Sequence, residues 1–257
     1  MTGRTDGSNN FGSNEQFNPT GSVGLSWNVD QEEFMKPLKP IISTLSLRAA
    51  FGYTGNINKS VYPQLVMDYE NSFRKADNDY YRMGTLRNAP NAKLRWEKTA
   101  SYNTGIDFSV FNQAINLSVD YYYRKGTDLI GNKMLPLENG FTSMDVNWAS
   151  MKNQGIEINL QTRNIATKNF SWYTSFNFAY NKNKVLKVMT EKDQVTPSLE
   201  GYPVGAIFTL KTKGIKSETG QIYIENKDGE AVTIEELFQM ADKGNLDGEY
   251  SIGVDKE

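Results

Sequence analysis

The sequence predicts an all-β fold, an antiparallel up-and-down transmembrane β-barrel, represented here by an incomplete curved sheet of about six strands with long external loops. Six segments alternate apolar and polar residues, their charged residues occupy only polar positions, and short connections alternate with long ones. Successive side chains of a strand point to opposite sides, so each segment has two unlike faces. A barrel in lipid needs such strands, with apolar side chains outside and polar ones inside.

Most of the six segments are close to the length of about 9 to 11 residues with which a tilted strand crosses a bilayer. Their apolar positions, in chain order, are Val23, Leu25, Trp27 and Val29; Leu45, Leu47, Ala49, Phe51 and Tyr53; Tyr102, Thr104, Ile106, Phe108 and Val110; Ile115, Leu117, Val119, Tyr121 and Tyr123; Ile156, Ile158 and Leu160; and Trp172, Thr174, Phe176, Phe178 and Tyr180. We expect these side chains to face lipid.

Charged residues of the segments lie in the intervening positions. They are Arg48, Asp107, Asp120, Arg124 and Glu157. A charge on the lipid face near mid-membrane costs about 2–4 kcal/mol. The pattern therefore predicts that these five residues face the lumen, where they are candidates for contact with the barrel interior or a passing solute.

Periodicity alone does not separate a barrel from a soluble β-sandwich, whose strands also alternate but turn their apolar side chains inward. The connections favour the barrel. Residues 112–114 and 165–169 form short turns, residues 30–43 a moderate one, and residues 55–100, 126–153 and 182–257 long ones. Tight periplasmic turns alternate with large external loops in outer-membrane barrels, and compact soluble domains rarely carry several long structureless loops.

The alternative is a secreted β-sandwich that binds glycans through its loops. It predicts that Leu47, Phe108, Val119 and Phe178 are buried in a core, whereas the barrel predicts that they contact lipid. Strand directions add a further expectation. Tyr53, Tyr102, Tyr121, Tyr123 and Tyr180 gather near the long-loop rim, and Trp27 and Trp172 gather near the short-turn rim. Two such aromatic belts are typical of the lipid headgroup levels of a barrel.

Composition makes an enzyme an unfavourable interpretation. The 257 residues include no histidine and no cysteine, which removes the commonest general base, the commonest metal ligand and any thiolate site. An esterase or protease barrel therefore lacks its histidine base, and we expect no catalytic residue, metal or cofactor. The net charge is −2 with scattered basic residues, so nothing indicates nucleic-acid binding. No apolar run approaches the roughly 18 residues of a membrane helix.

Five stretches resemble the C-terminal half of SusC/RagA-type TonB-linked outer-membrane proteins. They are Thr5 to Val29, Leu45 to Asn56, Leu94 to Ile130, Gly140 to Thr162 and Phe170 to Val185. Their common order and spacing make the resemblance more specific than any single stretch. The start of the chain carries no apolar signal-peptide core.

The resemblance implies a barrel of about 22 strands around an N-terminal plug, driven by the TonB complex through that plug. It implies a bacterial outer-membrane importer of oligosaccharides or peptides, with a SusD-like surface lipoprotein as its lid. Residues 1–257 are then part of the C-terminal β-barrel domain, without the plug, the early strands and the last strands. The five lumen-facing candidates would contact the plug or solute.

Two local motifs stand in the last long connection. Asn226 to Glu230 resembles the start of an EF-hand loop, but Ala231 replaces its glycine and Leu237 its bidentate glutamate, so the Asp228-Gly229 pair favours a hairpin turn. Thr233 and Glu236 have capping-box spacing ahead of Leu237, Phe238 and Met240, with Gly244 ending the predicted helix.

Eight aromatic residues of the long connections are candidates for stacking on sugars or, as we favour, for packing loops together: Tyr62, Tyr69, Phe73, Tyr80, Tyr81, Trp96, Phe141 and Trp148.

Overall fold

The computed structural model describes residues 1–12, 15–74, 80–189, 198–215, 217–226, 228–236 and 252–255. The chain divides into two compact units, Met1–Met189 and Thr190–Glu257. Among the described residues, no helix has both the length and the apolar character needed to cross a membrane.

The first unit is built on one seven-stranded antiparallel sheet with the order β1-β2-β3-β6-β7-β8-β9. Its strands are β1 (Thr2–Gly7), β2 (Phe17–Asn28), β3 (Ile42–Asn56), β6 (Glu97–Val110), β7 (Ile115–Met134), β8 (Ser143–Ala166) and β9 (Ser171–Lys187). The hairpin of β4 (Val66–Arg74) and β5 (Tyr80–Asn88) forms a separate two-stranded sheet. Each strand of the large sheet pairs with the next of that sheet along the chain, which is the predicted up-and-down topology.

The sheet has one strand more than the six that alternation identifies. Strand β1 pairs antiparallel with β2, from Thr2 opposite Ser22 to Gly7 opposite Phe17. It contains no apolar residue, so it carries no period-two signal. Within the described residues β1 and β9 each pair with a single strand, which leaves the sheet two edges.

Register gathers the apolar positions of the six predicted strands on one face. One row of directly opposed residues consists of Trp27, Leu47, Ile106, Val119, Ile158 and Phe178. The five tyrosines predicted for the long-connection rim lie on this same apolar face as Trp27 and Trp172. Trp27 and Trp172 are close to the short-turn ends of β2 and β9, whereas Tyr121 and Tyr180, both opposite Ile156, lie nearer the middle of their strands, so two aromatic belts at different depths stay a prediction. Val29 departs from the prediction because β2 ends at Asn28, and Val29 is buried in the following 3₁₀ helix.

The apolar face is largely exposed, which argues against the β-sandwich. Leu47, Ile106 and Phe178 keep 36%, 46% and 45% of their surface accessible, and Phe108 and Val119 are only half-buried. A second sheet packed on this face would bury these side chains nearly completely. The β-sandwich alternative predicts that these side chains are buried in a core, and that prediction is therefore wrong.

The short connections lie at the predicted end of the sheet. Residues 111–114 and 167–170 form tight turns, and two 3₁₀ helices, Val29–Gln31 and Glu33–Leu38, connect β2 to β3. At the opposite end the long connections contain regular structure. Strands β7 and β8 continue as a paired arm as far as Met134 and Ser143, and the arm closes with a third 3₁₀ helix, Leu137–Asn139.

A small core holds the long connections together at that end. It comprises Phe11, Val61, Leu94 and Trp96, with Ile57 and Ile130 packed against them. The rings of Phe11 and Trp96 have centroids 5.2 Å apart. Trp96 therefore packs the long connections together, as we predicted for the aromatic residues of these connections. By contrast, Tyr62, Tyr69 and Trp148 are exposed. The side chains of Phe73, Tyr80 and Tyr81 lie outside the described residues.

The second unit contains the pair β10 (Ile207–Leu210) with β14 (Ile252–Asp255), and the sheet of β11 (Thr212–Ile215), β12 (Ile222–Glu225) and β13 (Ala231–Val232). The predicted hairpin turn joins β12 to β13, with the backbone N–H groups of Asp228 and Glu230 donating to Asn226 Oδ1.

The predicted capping box is also present in this unit. Thr233 N–H donates to Glu236 Oε2 at 2.7 Å, and Glu236 N–H donates to Thr233 Oγ1 at 3.3 Å. The remainder of the predicted helix, with Leu237, Phe238, Met240 and Gly244, lies outside the described residues.

Candidate functional site

All five charged residues predicted to line the lumen lie on the polar face of the seven-stranded sheet. Register places Arg48, Gly105, Asp120, Glu157 and Ala179 in one row across strands β3 to β9. Asp107 belongs to the adjacent row, opposite Ser46 and Ser118. Arg124 lies further toward the long-connection end, opposite Ser101 and Asn153. The five residues therefore share one face, as alternation predicts, and register brings Arg48, Asp107, Asp120 and Glu157 close together.

Arg48 is the centre of an ion-pair network on this face. Its Nε lies 2.7 Å from Asp107 Oδ2, and its Nη2 lies 3.0 Å from Asp120 Oδ1. Ser118 Oγ donates to Asp107 Oδ1 at 2.8 Å. The guanidinium fork suits two carboxylates at once because its donors have fixed directions. The network therefore joins strands β3, β6 and β7 through side chains.

Gly105 makes the reach of Arg48 possible. It stands between Arg48 and Asp120 in the row, and a Cβ added there would lie 2.9 Å from Arg48 Nη2 and would overlap Asp120. The missing side chain leaves a notch, and the guanidinium lies across it. Composition and spacing gave no sign of this role, because only the register shows which residues flank Gly105.

A second glycine notch lies closer to the long-connection end. Tyr122 lies across Gly155, its direct partner on β8, and its hydroxyl donates to Asn181 Oδ1 on β9 at 3.0 Å. A Cβ on Gly155 would lie 2.6 Å from the Tyr122 hydroxyl oxygen. Arg124 packs over the Tyr122 ring, with its guanidinium carbon 5.3 Å from the ring centroid. Long side chains at both notches thus lie along the sheet.

A shallow depression of about 700 Å³ occupies the polar face beside the Arg48 network. Asp107, Asp120 and Glu157 contribute to its lining together with Asn159 and Asn177. Asp120 and Glu157 are direct cross-strand partners, so two carboxylates face the same space. The described residues contain no group of three or more His, Cys, Asp or Glu side chains arranged to hold a metal ion. Apolar residues also border the depression, and its polar side chains are suited to hydrogen bonding and ion pairing.

A polar cluster fixes the long-connection end of the sheet. Asn147 Nδ2 donates to the backbone oxygens of Arg95 and Asp128, both at 2.7 Å, and its Oδ1 accepts from Arg95 N–H at 2.8 Å. Asp128 has a φ of 56°, at an irregularity between residues 126 and 129 of the β7–β8 arm. One asparagine therefore holds two backbone segments in place, and the sequence analysis did not identify it.

Ion pairing adds to this cluster. Arg95 Nη2 lies 2.6 Å from Asp128 Oδ1, and Lys98 Nζ lies 3.6 Å from Asp128 Oδ2. The hydrogen bond from Arg95 is the main cause that lowers the pKa of Asp128 below its ordinary value, against the opposing effect of partial burial. The same bond raises the pKa of Arg95. The carboxylate of Asp128 is thus ionised under ordinary conditions and holds residue 95 against the arm.

These features define the fold class: an antiparallel up-and-down sheet of the β-barrel type, with one exposed apolar face and one hydrogen-bonded polar face. The chain belongs to the TonB dependent receptor-like, beta-barrel family, whose sequence profile matches residues 1–213. The predicted resemblance is confirmed at this level.

The curated relatives of the chain are named as TonB-dependent receptors, and SusC is one of them. It is 34% identical to TonB-dependent receptor P39 of Formosa agariphila over 217 residues, covering 82% of this chain and 20% of the relative. It is 32% identical to TonB-dependent receptor SusC of Bacteroides thetaiotaomicron over 193 residues, covering 73% and 19%. The chain therefore spans about a fifth of the length of these relatives.

Solved structures agree with the sequence relatives. The RagAB peptide transporter superposes with a TM-score of 0.76 at 25% identity, covering 99% of this chain and 28% of the other. The RagAB peptide importer in its closed-closed state gives a TM-score of 0.73 at 28% identity, covering 90% and 26%. The predicted similarity to SusC and RagA is thus supported by both sequence and fold.

Proposed function

We propose that the chain forms part of the wall and the external extensions of an outer-membrane barrel in a TonB-linked nutrient importer. The observation that carries this proposal is the continuous register of β2 to β9, which collects the apolar positions on one exposed face and the five predicted charges on the other. Lipid tolerates the first face but not the second.

In lipid, an open sheet such as this one belongs to a larger, closed barrel. Unpaired strand edges are costly in lipid because backbone N–H and C=O groups find no water there. The free edges of β1 and β9 therefore require further strands, and we assign residues 1–257 to the C-terminal part of a longer barrel domain. The length of the relatives supports this assignment.

The polar face lines the interior in this proposal. Arg48, Asp107, Asp120, Arg124 and Glu157 then meet water, a plug domain or the solute. The observed ion pairs support an interior position, since Arg48 is matched by two carboxylates on the face opposite the apolar one. The two glycine notches keep Arg48 and Tyr122 along the wall, which leaves more of the lumen open.

The orientation follows from the connections. Barrels of this kind place short turns in the periplasm and long connections outside the cell. The turns at residues 111–114 and 167–170 are then periplasmic. The β4–β5 hairpin, the β7–β8 arm and the small core around Trp96 are extracellular and present a folded surface to incoming solute or to a lid.

The cargo and partners come from the relatives. RagAB is described as a peptide importer, and SusC is named as a TonB-dependent receptor. We extend these descriptions to the present chain and propose that the solute is an oligosaccharide or a peptide. A SusD-like surface lipoprotein is then the lid, and the TonB complex supplies the energy through a plug. We assign the chain no catalytic step, because its relatives are named as receptors and importers.

Deletion of the coding sequence from the native bacterium tests this function. The expected result is loss of uptake of one class of oligosaccharide or peptide too large for porins, restored by the intact gene. The receptor should sediment with the outer membrane and co-purify in mild detergent with a lipoprotein encoded beside it. Unchanged uptake together with a freely soluble, secreted product would contradict the proposal.

A further inference from the structure

The connection from β2 to β3, residues 29–41, is unlike the other connections at the same rim. The turns at residues 111–114 and 167–170 are tight, whereas this connection contains two 3₁₀ helices, Val29–Gln31 and Glu33–Leu38. We call it the β2–β3 segment. Its additional length is not needed to reverse the chain, so another role has to account for it.

The β2–β3 segment is folded. Successive backbone hydrogen bonds run from Glu32 N–H to the Val29 oxygen, from Met35 N–H to the Glu32 oxygen, and from Ile41 N–H to the Leu38 oxygen. The side chains of Val29 and Met35 are buried. Asp30 Oδ1 accepts the backbone N–H of Leu45 and so ties the segment to β3.

Polar and apolar residues of the segment have separate surroundings. Asp30, Gln31 and Lys39 line a cavity of about 430 Å³ together with Asn112 and Gln113. Phe34, Leu38 and Ile41 are not among its lining residues and keep 63%, 44% and 50% of their surface accessible. The segment is thus amphipathic, although it is too short to show helical periodicity.

The exposed apolar residues of the segment lie in the chain between the short-turn ends of β2 and β3, next to other apolar residues of that rim. Trp27, on that face, donates its indole N–H to Glu32 Oε1 at 2.9 Å. Phe111 N–H donates to the Ile41 oxygen at 2.8 Å, so the neighbouring turn, with its exposed Phe111 ring, abuts the segment. Phe170 and Trp172 are exposed at the same rim, around the turn between β8 and β9.

The charged residues of the β2–β3 segment do not prevent its exposed apolar side chains from contacting a membrane. Glu33 and Lys36 form an ion pair at 2.6 Å, and Glu32 accepts the Trp27 indole. An ion pair with a hydrogen-bonded carboxylate suits the headgroup level, where water and apolar groups are both present. The remaining charged side chains, Asp30 and Lys39, are those of the polar cavity.

We propose that the β2–β3 segment is an in-plane anchor that inserts Phe34, Leu38 and Ile41 into the interface of the phospholipid leaflet on the short-turn side. Amphipathic segments bind at this level by burying apolar side chains beneath the headgroups while polar ones stay hydrated. This inference rests on the proposed barrel function and assigns the chain a lipid contact beyond the barrel strands themselves.

Fluorescence quenching at single cysteines tests the anchor in the complete receptor, reconstituted into phospholipid vesicles. Residues 1–257 contain no cysteine, so once any cysteine elsewhere in the receptor has been replaced by serine, each substitution supplies a single label. Phe34→Cys and Leu38→Cys report on the anchor, Lys39→Cys is the matched control toward the polar cavity, and Ile106→Cys marks the mid-strand apolar face. Each label is challenged with aqueous iodide and with lipids brominated near the glycerol end or the methyl end of the acyl chain.

The anchor predicts that labels at 34 and 38 lose iodide quenching and are quenched most by bromine near the glycerol end. Lys39→Cys should respond to iodide, and Ile106→Cys to the deeper bromine. If labels 34 and 38 behave like label 39 while label 106 stays deep, the anchor is refuted and the barrel function stands. If no bromolipid quenches label 106, the barrel function itself fails, and the anchor fails with it.

Discussion

Arg48 and Asp120 are joined across Gly105, with Arg48 Nη2 3.0 Å from Asp120 Oδ1 although a whole strand separates β3 from β7. The contact exists because the residue between them has no side chain. A charged group that reaches over a neighbouring strand joins three strands with one side chain, and it does so on the polar face of the sheet.

Substituting Gly105→Ala should destabilise the sheet by about 1–3 kcal/mol, as insertion of a methyl group into an occupied site does. The added Cβ would displace the Arg48 guanidinium and separate it from Asp120. Urea unfolding of the receptor in vesicles measures the change. Gly131→Ala is the matched control, because a Cβ at Gly131 meets no heavy atom within 4 Å. Equal effects of the two substitutions would contradict this account of the notch.

The hydroxyl of Tyr122 and the amide of Asn181 should be energetically coupled. Tyr122→Phe removes the 3.0 Å hydrogen bond over Gly155 and leaves the ring in place. A double-mutant cycle with Asn181→Ala should give a coupling free energy of about 0.5–1.5 kcal/mol. Strictly additive effects would show that the bond contributes nothing.

Asn147 should be important for the order of the long-connection end. Asn147→Ala leaves the N–H and oxygen of Arg95 and the oxygen of Asp128 without this partner, at a cost of about 1–3 kcal/mol for a buried polar group left unpaired. Hydrogen exchange of the amides of residues 89–98 should accelerate. Asn132→Ala, which removes one exposed contact to Asp145, serves as control and should leave those amides protected.

Acid should loosen the same region through Asp128, which lies on the arm beyond the proposed membrane-spanning part of β7. Its pKa is lowered in the folded protein, so its contribution to stability is present above the ordinary carboxyl pKa and is lost as pH falls through the folded value. The protection factors of the amides of residues 89–98, which correct for the slower intrinsic exchange in acid, should therefore fall as the pH is lowered. Asp128→Asn should remove that part of the pH dependence. An unaltered pH profile in the variant would exclude Asp128 as the cause.

Adjacent residues on β8 should differ strongly in how much an introduced charge destabilises the protein. Ile158→Arg places a guanidinium on the apolar face and should destabilise a membrane barrel by about 2–4 kcal/mol. Asn159→Arg adds the same side chain to the polar depression and should cost far less. Folding titrations in vesicles compare the two. Similar losses at both positions would show that the faces are assigned wrongly.

Alternation was sufficient to predict six strands, their directions and both faces, because the period-two signal depends only on each strand's own residues. Strand β1 was missed, since Thr2–Gly7 is polar throughout and is recognised only by its pairing with β2. The β7–β8 arm was assigned to a loop because its register shifts between Gly126 and Leu129, which interrupts the alternation.

The site was predicted less completely than the fold. The polar positions of the alternating pattern identified one group of charged residues: Arg48, Asp107, Asp120, Arg124 and Glu157. The pattern did not show which of their side chains contact each other. Contacts across the sheet depend on the register of several strands at once, so the notches at Gly105 and Gly155 have no local sequence signal. That these five residues line a lumen stays a prediction.

A spin-label scan of β8 in the membrane-embedded receptor tests the two-faced wall most directly. Single cysteines replace Ile156, Glu157, Ile158, Asn159, Leu160 and Gln161 in turn, and relaxation by oxygen, which enters lipid, is compared with relaxation by a water-soluble nickel complex. We predict oxygen accessibility at 156, 158 and 160 and a matching loss at 157, 159 and 161. Accessibility to oxygen that does not alternate, or apolar positions shielded from both agents, would contradict a wall with one face in lipid.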